Sequence, residues 1–313
     1  MMNRIQRTLA WGVAFLLAAE PCWGWGEAGH RVVGRIAAAM LTPAAQKKVA
    51  EILEVDNTRT AVADALADAA VWPDAVARDE YKVSIPWHFI DLGVKPNPAK
   101  DDPLWASADT AFAKIVKYFG TVKRGDMDEL DQGSDLKFLV HLIGDVHQPL
   151  HAATNQDRGG NCLYIKFVKE QGGTSPKTKF HSAWDRVMLE DRVGTDDRLI
   201  ARHLVRDWSR LPQSDRTAIP KPDLSGDGAA TVRAWIKESH DAAVTQLYGT
   251  LTPAVPKYET AEVGSDCHNA APVFKSKTWM LDEGAAEDTS RLMERQLMKA
   301  GARLATLLNA AAQ

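Results

Sequence analysis

Apolar positions along most of the chain recur at three-to-four spacing. Val32, Val33, Ile36, Ala39 and Met40 mark one helical face, and the stretches from Ala44 to Leu53 and from Ala61 to Trp72 continue it, so the N-terminal third is expected to be mostly helical. Leu92 to Pro103 breaks the pattern with Gly93, Pro96, Pro98 and Pro103 among charges and reads as a surface loop before a helix from Trp105 to Phe119. A further helix is predicted from about Ser134 to His147, where Pro149 stops or kinks it because proline lacks the donor the next turn needs. After Arg158, Gly159, Gly160 and Asn161 the period changes to two: Cys162, Tyr164, Lys166 and Val168 alternate with Leu163, Ile165 and Phe167. With Lys177 to Phe180 returning, a hairpin is predicted as the main β element. Helices resume at Trp184 to Leu189, Asp197 to Trp208 and Ala229 to Tyr248, with a polar loop from Gln213 to Asp227. The last segment, about Glu287 to Ala311, is amphipathic through Met293, Leu297, Leu304 and Leu308 and should pack as a closing helix. The expected fold class is mainly α with a small β-hairpin.

No repeat or clean break divides the 313 residues, which favours one large domain. The chain opens with the basic residues Arg4 and Arg7, followed by an apolar run from Thr8 to Ala19 that is too short to span a bilayer comfortably. Small side chains at Cys22 and Gly24 suit a cut before Trp25, so residues 1–24 read as a signal peptide and 25–313 as an exported domain, periplasmic or secreted. Loss of Cys22 leaves Cys162 and Cys267, which an oxidising compartment would allow to pair; two separate buried thiols are the alternative. No N-glycosylation sequon occurs. The formal charge of −3 loses two positive and one negative charge with the leader and becomes −4. That balance disfavours a polyanionic partner unless bound divalent cations place positive charge where the partner would meet it.

Candidate chemistry lies in six short segments. His141 and Asp145, in His-Leu-Ile-Gly-Asp, are four apart, so on a helix both heads project from one face and can meet a single metal. His151 follows Pro149, where the broken helix turns it toward a different point; His147 lies about 120° from His141 on an ideal helix and reads as structural or as a support behind a ligand. His181 and Asp185 repeat the four-residue spacing. Trp72-Pro73-Asp74 and Trp87-His88-Phe89-Ile90-Asp91 set carboxylates and an imidazole among aromatics, where an unpaired buried charge is costly and needs a cation or an arginine. Trp25-Gly-Glu-Ala-Gly-His30 would gain a free α-amino group on processing, with a reference pKa of about 7.7 to 8.0, beside an imidazole. Each segment has an ordinary counterpart, such as a hydrogen-bonded surface pair, a loop histidine or a capping aspartate. Their clustering is the informative feature.

Together these segments resemble the zinc-dependent single-strand nucleases of fungi and plants, the type I nucleases, which share the zinc phospholipase C fold. The match spans nearly the whole chain after residue 24, from Trp25-Gly-Glu-Ala-Gly-His30 to Ala300-Gly301-Ala302-Arg303-Leu304-Ala305. The resemblance implies one helical domain and three zinc ions. Asp74, His88, His141 and Asp145 match the ligands of one zinc, and His151, His181 and Asp185 those of a second. The third would be held by the amino group and carbonyl of Trp25, by His30 and by the other oxygen of Asp145. Hydrolysis of single-stranded DNA and RNA to 5′-phosphorylated products is implied, by water that zinc brings toward a pKa of about 7. The implied catalytic positions are Asp145, Asp91 and Asn161.

Phe89 and Asp91 match positions that contact a base, one by stacking and one by hydrogen bonding, and stacking favours a splayed single strand. Gly159, Gly160 and Asn161 match the segment beside the scissile phosphate, where glycine admits close backbone approach and an amide can donate to phosphate oxygen. The family often has arginine three residues after the aspartate that matches Asp74; here that place is Ala77, and Arg78, one residue later, is turned by about 100° on a helix. A zinc phospholipase C would want an exposed apolar surface, and no long apolar run follows Trp25. A non-catalytic secreted zinc-binding protein would keep the ligands and lose the open coordination site. No membrane anchor or stable protein partner is implied, and a monomer is expected; DNA against RNA preference and 3′-nucleotidase activity are left open.

Overall fold

Short polar caps set where several helices begin. Thr42, Thr58, Asn97, Thr110 and Asp282 each turn a side-chain oxygen toward a first-turn N–H, at Ala45, Ala61, Ala99, Ala113 and Ala285, which satisfies an otherwise orphaned donor. The computed structural model describes residues 25–77, 81–125, 132–210, 224 and 228–313, and they are mostly helical. The helices are α1 (Glu27–Ala39), α2 (Pro43–Ile52), α3 (Arg59–Ala69), α4 (Trp72–Ala77), α5 (Pro98–Ala106), α6 (Ala111–Arg124) and α7 (Gln132–Asp145), then α8 (Phe180–Ser182), α9 (Met188–Arg192), α10 (Asp197–Arg210), α11 (Ala229–Ala242), α12 (Pro272–Ser276) and α13 (Glu283–Ala311). A π turn, Ala183–Val187, joins α8 to α9, and 3-10 turns cover Lys82–His88 and Pro149–His151. The leader expected at residues 1–24 falls outside the described residues, as does the expected 213–227 loop apart from Leu224.

α1 is the central helix. Its Val32, Val33, Ile36 and Ala37 are fully buried, and it contacts α3, α7, α10 and α13. α13 begins one turn earlier than expected and buries Met293, Leu297, Leu304 and Leu308 as the pattern predicts. Each such side chain contributes roughly 1.5–3 kcal/mol relative to exposure. His147 is structural, as expected. Its Nδ1 donates to the Ile143 carbonyl at 2.7 Å and its Nε2 accepts from Arg303 at 2.8 Å. Burial and the Arg303 charge push its pKa down to about 3.

Two expectations need correcting. Leu92 to Pro103 is not a plain loop, because Leu92–Gly93 forms strand β1 and α5 starts at Pro98. Asn97 caps that helix, and the missing N–H of proline is harmless in a first turn, where no intrahelical partner exists. The helix expected from Trp105 to Phe119 is two helices, since α5 ends at Ala106 and Thr110 caps a fresh start that runs to Arg124.

The predicted hairpin forms: β3 (Tyr164–Phe167) pairs antiparallel with β4 (Thr178–Lys179), Tyr164 opposite Lys179. A third strand, β5 (Trp279–Leu281), joins β3 in parallel; its three residues are too few to show a period. β1 pairs in parallel with β2 (Ala153–Thr154), which brings the segment after His88 against the segment after His151. Cys162 and Cys267 form a disulfide, so the alternative of separate thiols falls away. Among the described residues no helix is long and apolar enough to cross a membrane.

Candidate metal centre

α7 supplies the middle of the site. His141 and Asp145 are fully buried and meet on one helix face, with His141 Nε2 3.1 Å from Asp145 Oδ2. His141 is oriented by donating Nδ1–H to the Ala70 carbonyl, just beyond α3, at 2.6 Å. His88, ending its 3-10 turn, brings Nδ1 to 3.0 Å from the same Asp145 oxygen and 2.9 Å from His141 Nε2. Asp74 on α4 completes this group, its Oδ1 lying 3.3 Å from His141 Nε2 and 3.7 Å from His88 Nδ1.

The other oxygen of Asp145 faces elsewhere. Oδ1 lies 3.4 Å from Nε2 of His30, a residue of the central helix whose ring nitrogens make no hydrogen bond among the described residues. The His30 ring stacks on His141 with centroids 4.0 Å apart. Gly144 makes that approach possible, because a Cβ there would stand 2.8 Å from His30 Nδ1.

A third group forms at His151, His181 and Asp185. His151 donates Nδ1–H to the His88 carbonyl at 2.7 Å, and His181 donates Nδ1–H to the Gly159 carbonyl at 2.6 Å. Both Nε2 atoms therefore carry lone pairs, and they face each other at 3.0 Å. Asp185 Oδ2 lies 3.5 Å from His181 Nε2, while its Oδ1 accepts from Gln148 Nε2 at 2.8 Å. In all three groups, including one of His30, Asp74 and His141, the candidate ligand atoms lie within 4.8 Å of one another.

The electrostatics ask for positive charge. Burial alone would raise Asp145, yet the neighbouring imidazoles, His141 first, hold it well below the carboxylate range. Burial would likewise lower His141, but Asp145 and Asp74 raise it well above an ordinary histidine. Burial pushes Asp185 well up, more than the Gln148 hydrogen bond offsets. Burial and His151 push His181 down to about 3, keeping it neutral and available as a ligand. A cation among these groups would relieve both the carboxylate charge and the facing lone pairs, and neutral imidazole with carboxylate suits zinc.

Phe89 follows His88 directly and is half-buried, outside the packed apolar core. Asp91 is half-buried; burial and the nearby Asp157 charge push it up to about 7, with Arg158 opposing. Asp157 is itself raised by burial to about 6, with the Tyr248 hydroxyl 3.0 Å from each of its oxygens. Gln156, Arg158, Gly159 and Gly160 all have positive φ, so this turn holds a sparsely populated backbone next to the His181 anchor. Asn161 follows it, nearly buried, with Nδ2 donating to the Arg158 carbonyl at 2.9 Å. Trp25 is fully buried against Trp184, and the next amide, Gly26 N–H, donates to the Asp185 carbonyl at 2.8 Å. Arg78 lies outside the described residues.

The sequence pattern missed Gln148, the carbonyls that fix the three imidazoles, and the Asp157–Tyr248 pair beneath Asp91. Backbone carbonyls leave no signature in residue type. A glutamine immediately before a proline is too common to signal anything.

Nuclease S1 of Aspergillus oryzae is 32% identical over 198 residues, covering 60% of this chain and 62% of that protein. Endonuclease 2 of Arabidopsis thaliana is 27% identical over 188 residues, 57% of this chain and 60% of that protein. Nuclease P1 of Penicillium citrinum is 28% identical over 181 residues, 54% of this chain and 60% of that protein. The matched stretch thus spans less than two thirds of each relative's length. The profile of the S1/P1 Nuclease family, by contrast, matches residues 25–313, the whole described span with every histidine and aspartate of the three groups inside it. On that match the chain belongs to the S1/P1 nuclease family.

Proposed function

We propose that the chain is a zinc-dependent phosphodiesterase that hydrolyses single-stranded DNA and RNA and leaves 5′-phosphorylated products. The observation that carries this is the His151–His181 pair, whose Nε2 lone pairs face each other at 3.0 Å with both Nδ1 atoms committed to carbonyls. Two buried neutral imidazoles repel in that pose unless a cation lies between them. Asp74, His88, His141 and Asp145 would hold one zinc; His151, His181 and Asp185 a second; Trp25, His30 and the remaining Asp145 oxygen a third. Zinc supplies Lewis acidity toward a phosphoryl oxygen and lowers the pKa of water.

The chain's own groups would do the rest. Asp145 turns one oxygen to His88 and His141 and the other to His30, which suits a bridging role. Asn161 spends one amide hydrogen on Arg158, and the other is chemically able to donate to a phosphate oxygen. Gly160 adds no side chain at that approach. Phe89 offers a ring outside the core for stacking on an accessible base, and Asp91, two residues on in the chain, would offer its carboxyl to the base edge. Both favour single strands over duplex.

We also assign residues 1–24 as a leader and 25–313 as one exported catalytic domain. Its removal would free the Trp25 amine next to Asp185, where the Gly26 hydrogen bond anchors the backbone. The test is hydrolysis of single-stranded DNA, RNA, duplex DNA and phosphatidylcholine by the zinc-loaded 25–313 chain, with and without chelator, with end groups identified. Chelator-sensitive cleavage of single strands to 5′-phosphates supports the proposal; cleavage of lipid alone, or inactivity on all four with zinc bound, overturns it. Release of phosphate from a 3′-nucleotide is scored alongside.

A further inference from the structure

Away from the metal centre, a groove of about 850 Å³ runs between α1, α3 and α10. Arg35, Arg59, Arg198, Arg202 and Arg206 line it, with Asp64 as the one carboxylate. Asp64 is already taken by Arg35 at 2.7 Å and Arg198 at 2.8 Å, and Arg35 is held a second time by Asp197 at 2.6 Å. Arg206 is held by the neighbouring Asp207 at 3.0 Å, so these pairs fix the wall, and Arg59 and Arg202 supply the excess of cations. Arg59 and Arg202 are exposed and have no ion pair among the described residues. In a chain of net charge −3, this local surplus runs against the overall balance.

Its spacing has a consequence. Arg198, Arg202 and Arg206 follow one another at four-residue intervals along α10, so their stems repeat about every 6 Å on one helix face. That is comparable to one phosphate step of an extended single strand. Ala38, Ala63 and Ala201, one from each helix, give the groove a shallow apolar floor on which sugars can lie. Guanidinium groups provide bidentate phosphate recognition and flat faces for unpaired bases.

We propose that this groove is a second contact surface for the backbone of a single-stranded polynucleotide, engaged only by substrates longer than those the metal centre itself holds. The proposal rests on the nuclease reading for its substrate class. α1 links the two places rigidly, since it carries His30 at the centre and Arg35 in the groove.

The test compares the zinc-loaded protein with Arg59→Gln/Arg202→Gln by fluorescence anisotropy, using phosphorothioate oligothymidylates of two and twenty nucleotides and, in parallel, phosphatidylglycerol vesicles. The 20-mer Kd is expected to rise about tenfold, and the slope of log K against log salt to fall by about 1.4, at about 0.7 per lost phosphate contact on single strands. The dinucleotide Kd should change less than twofold, with Tm unchanged. Arg59→Lys/Arg202→Lys should restore most of the salt slope. An unchanged 20-mer Kd, an equal loss on both lengths, or loss of vesicle binding alone overturns the proposal. Hydrolysis is scored separately on phosphodiester DNA. A protein that cleaves nothing but binds the 20-mer through these arginines keeps the groove and loses the nuclease reading. One that cleaves with arginine-independent binding does the reverse.

Discussion

His151 and His181 face each other through Nε2 at 3.0 Å while each commits its Nδ1–H to a carbonyl, that of His88 and that of Gly159. The tautomers are thereby set, and the space between the rings is one that a proton on either Nε2 or a cation must fill. Burial and the facing His151 disfavour the proton on His181, whose pKa is pushed to about 3.

Removing metal should therefore loosen the fold. A cation held at a thousand times its Kd stabilises by about 4 kcal/mol. For a chain of this size that is about 7 °C in Tm. Calorimetry before and after chelation should show a drop of that order, reversed by added zinc. An identical Tm in both states would rule out a cation between these rings.

Gly144→Ala tests the His30 stack. The added Cβ would stand 2.8 Å from His30 Nδ1 and 3.0 Å from its Cε1, so the ring must leave its place over His141. Overpacking of this kind costs about 1–3 kcal/mol. The expected outcome is one metal equivalent fewer by elemental analysis and at least a tenfold loss of activity. Full metal content with full activity would remove His30 from the centre.

Asp91 gives a pH test with a definite sign. Burial and Asp157 raise its pKa in the folded chain from 3.8 to about 7, so between those values the folded state binds a proton that the unfolded state has released. Its stabilising contribution is present below pH 3.8 and is lost as pH rises through 7. Asp91→Asn should raise Tm relative to the parent at pH 8 and leave it unchanged near pH 4. The opposite ranking would show that the carboxylate is paired rather than stranded.

The Cys162–Cys267 disulfide closes a separation of 105 residues and begins one residue after Asn161. Replacing both cysteines with serine should cost about 2–5 kcal/mol. Freeing the Asn161 turn should raise KM for an oligonucleotide more than it lowers kcat. Equal stability of the two forms on urea denaturation would show that the crosslink adds nothing to the fold.

The sequence by itself determined whatever depends on residues within one element. The faces of α1 and α13, the hairpin alternation and the His141–Asp145 and His181–Asp185 pairs were legible because helical and strand geometry fixes neighbours at short range. Proline was the local signal that misled. Pro98 starts a helix where a loop was expected, since the same missing donor that ends a helix is harmless at its first position. Only the tertiary structure decided that Asp74 reaches α7, that the two-residue β1–β2 pairing brings the chain after His88 beside the chain after His151, and that the two oxygens of Asp145 face different groups. It also joined Cys162 to Cys267, added β5 to the hairpin and gathered arginines from three helices into one groove. These contacts close long stretches of chain, and what selects them is the packing of whole elements against one another, which no local period encodes.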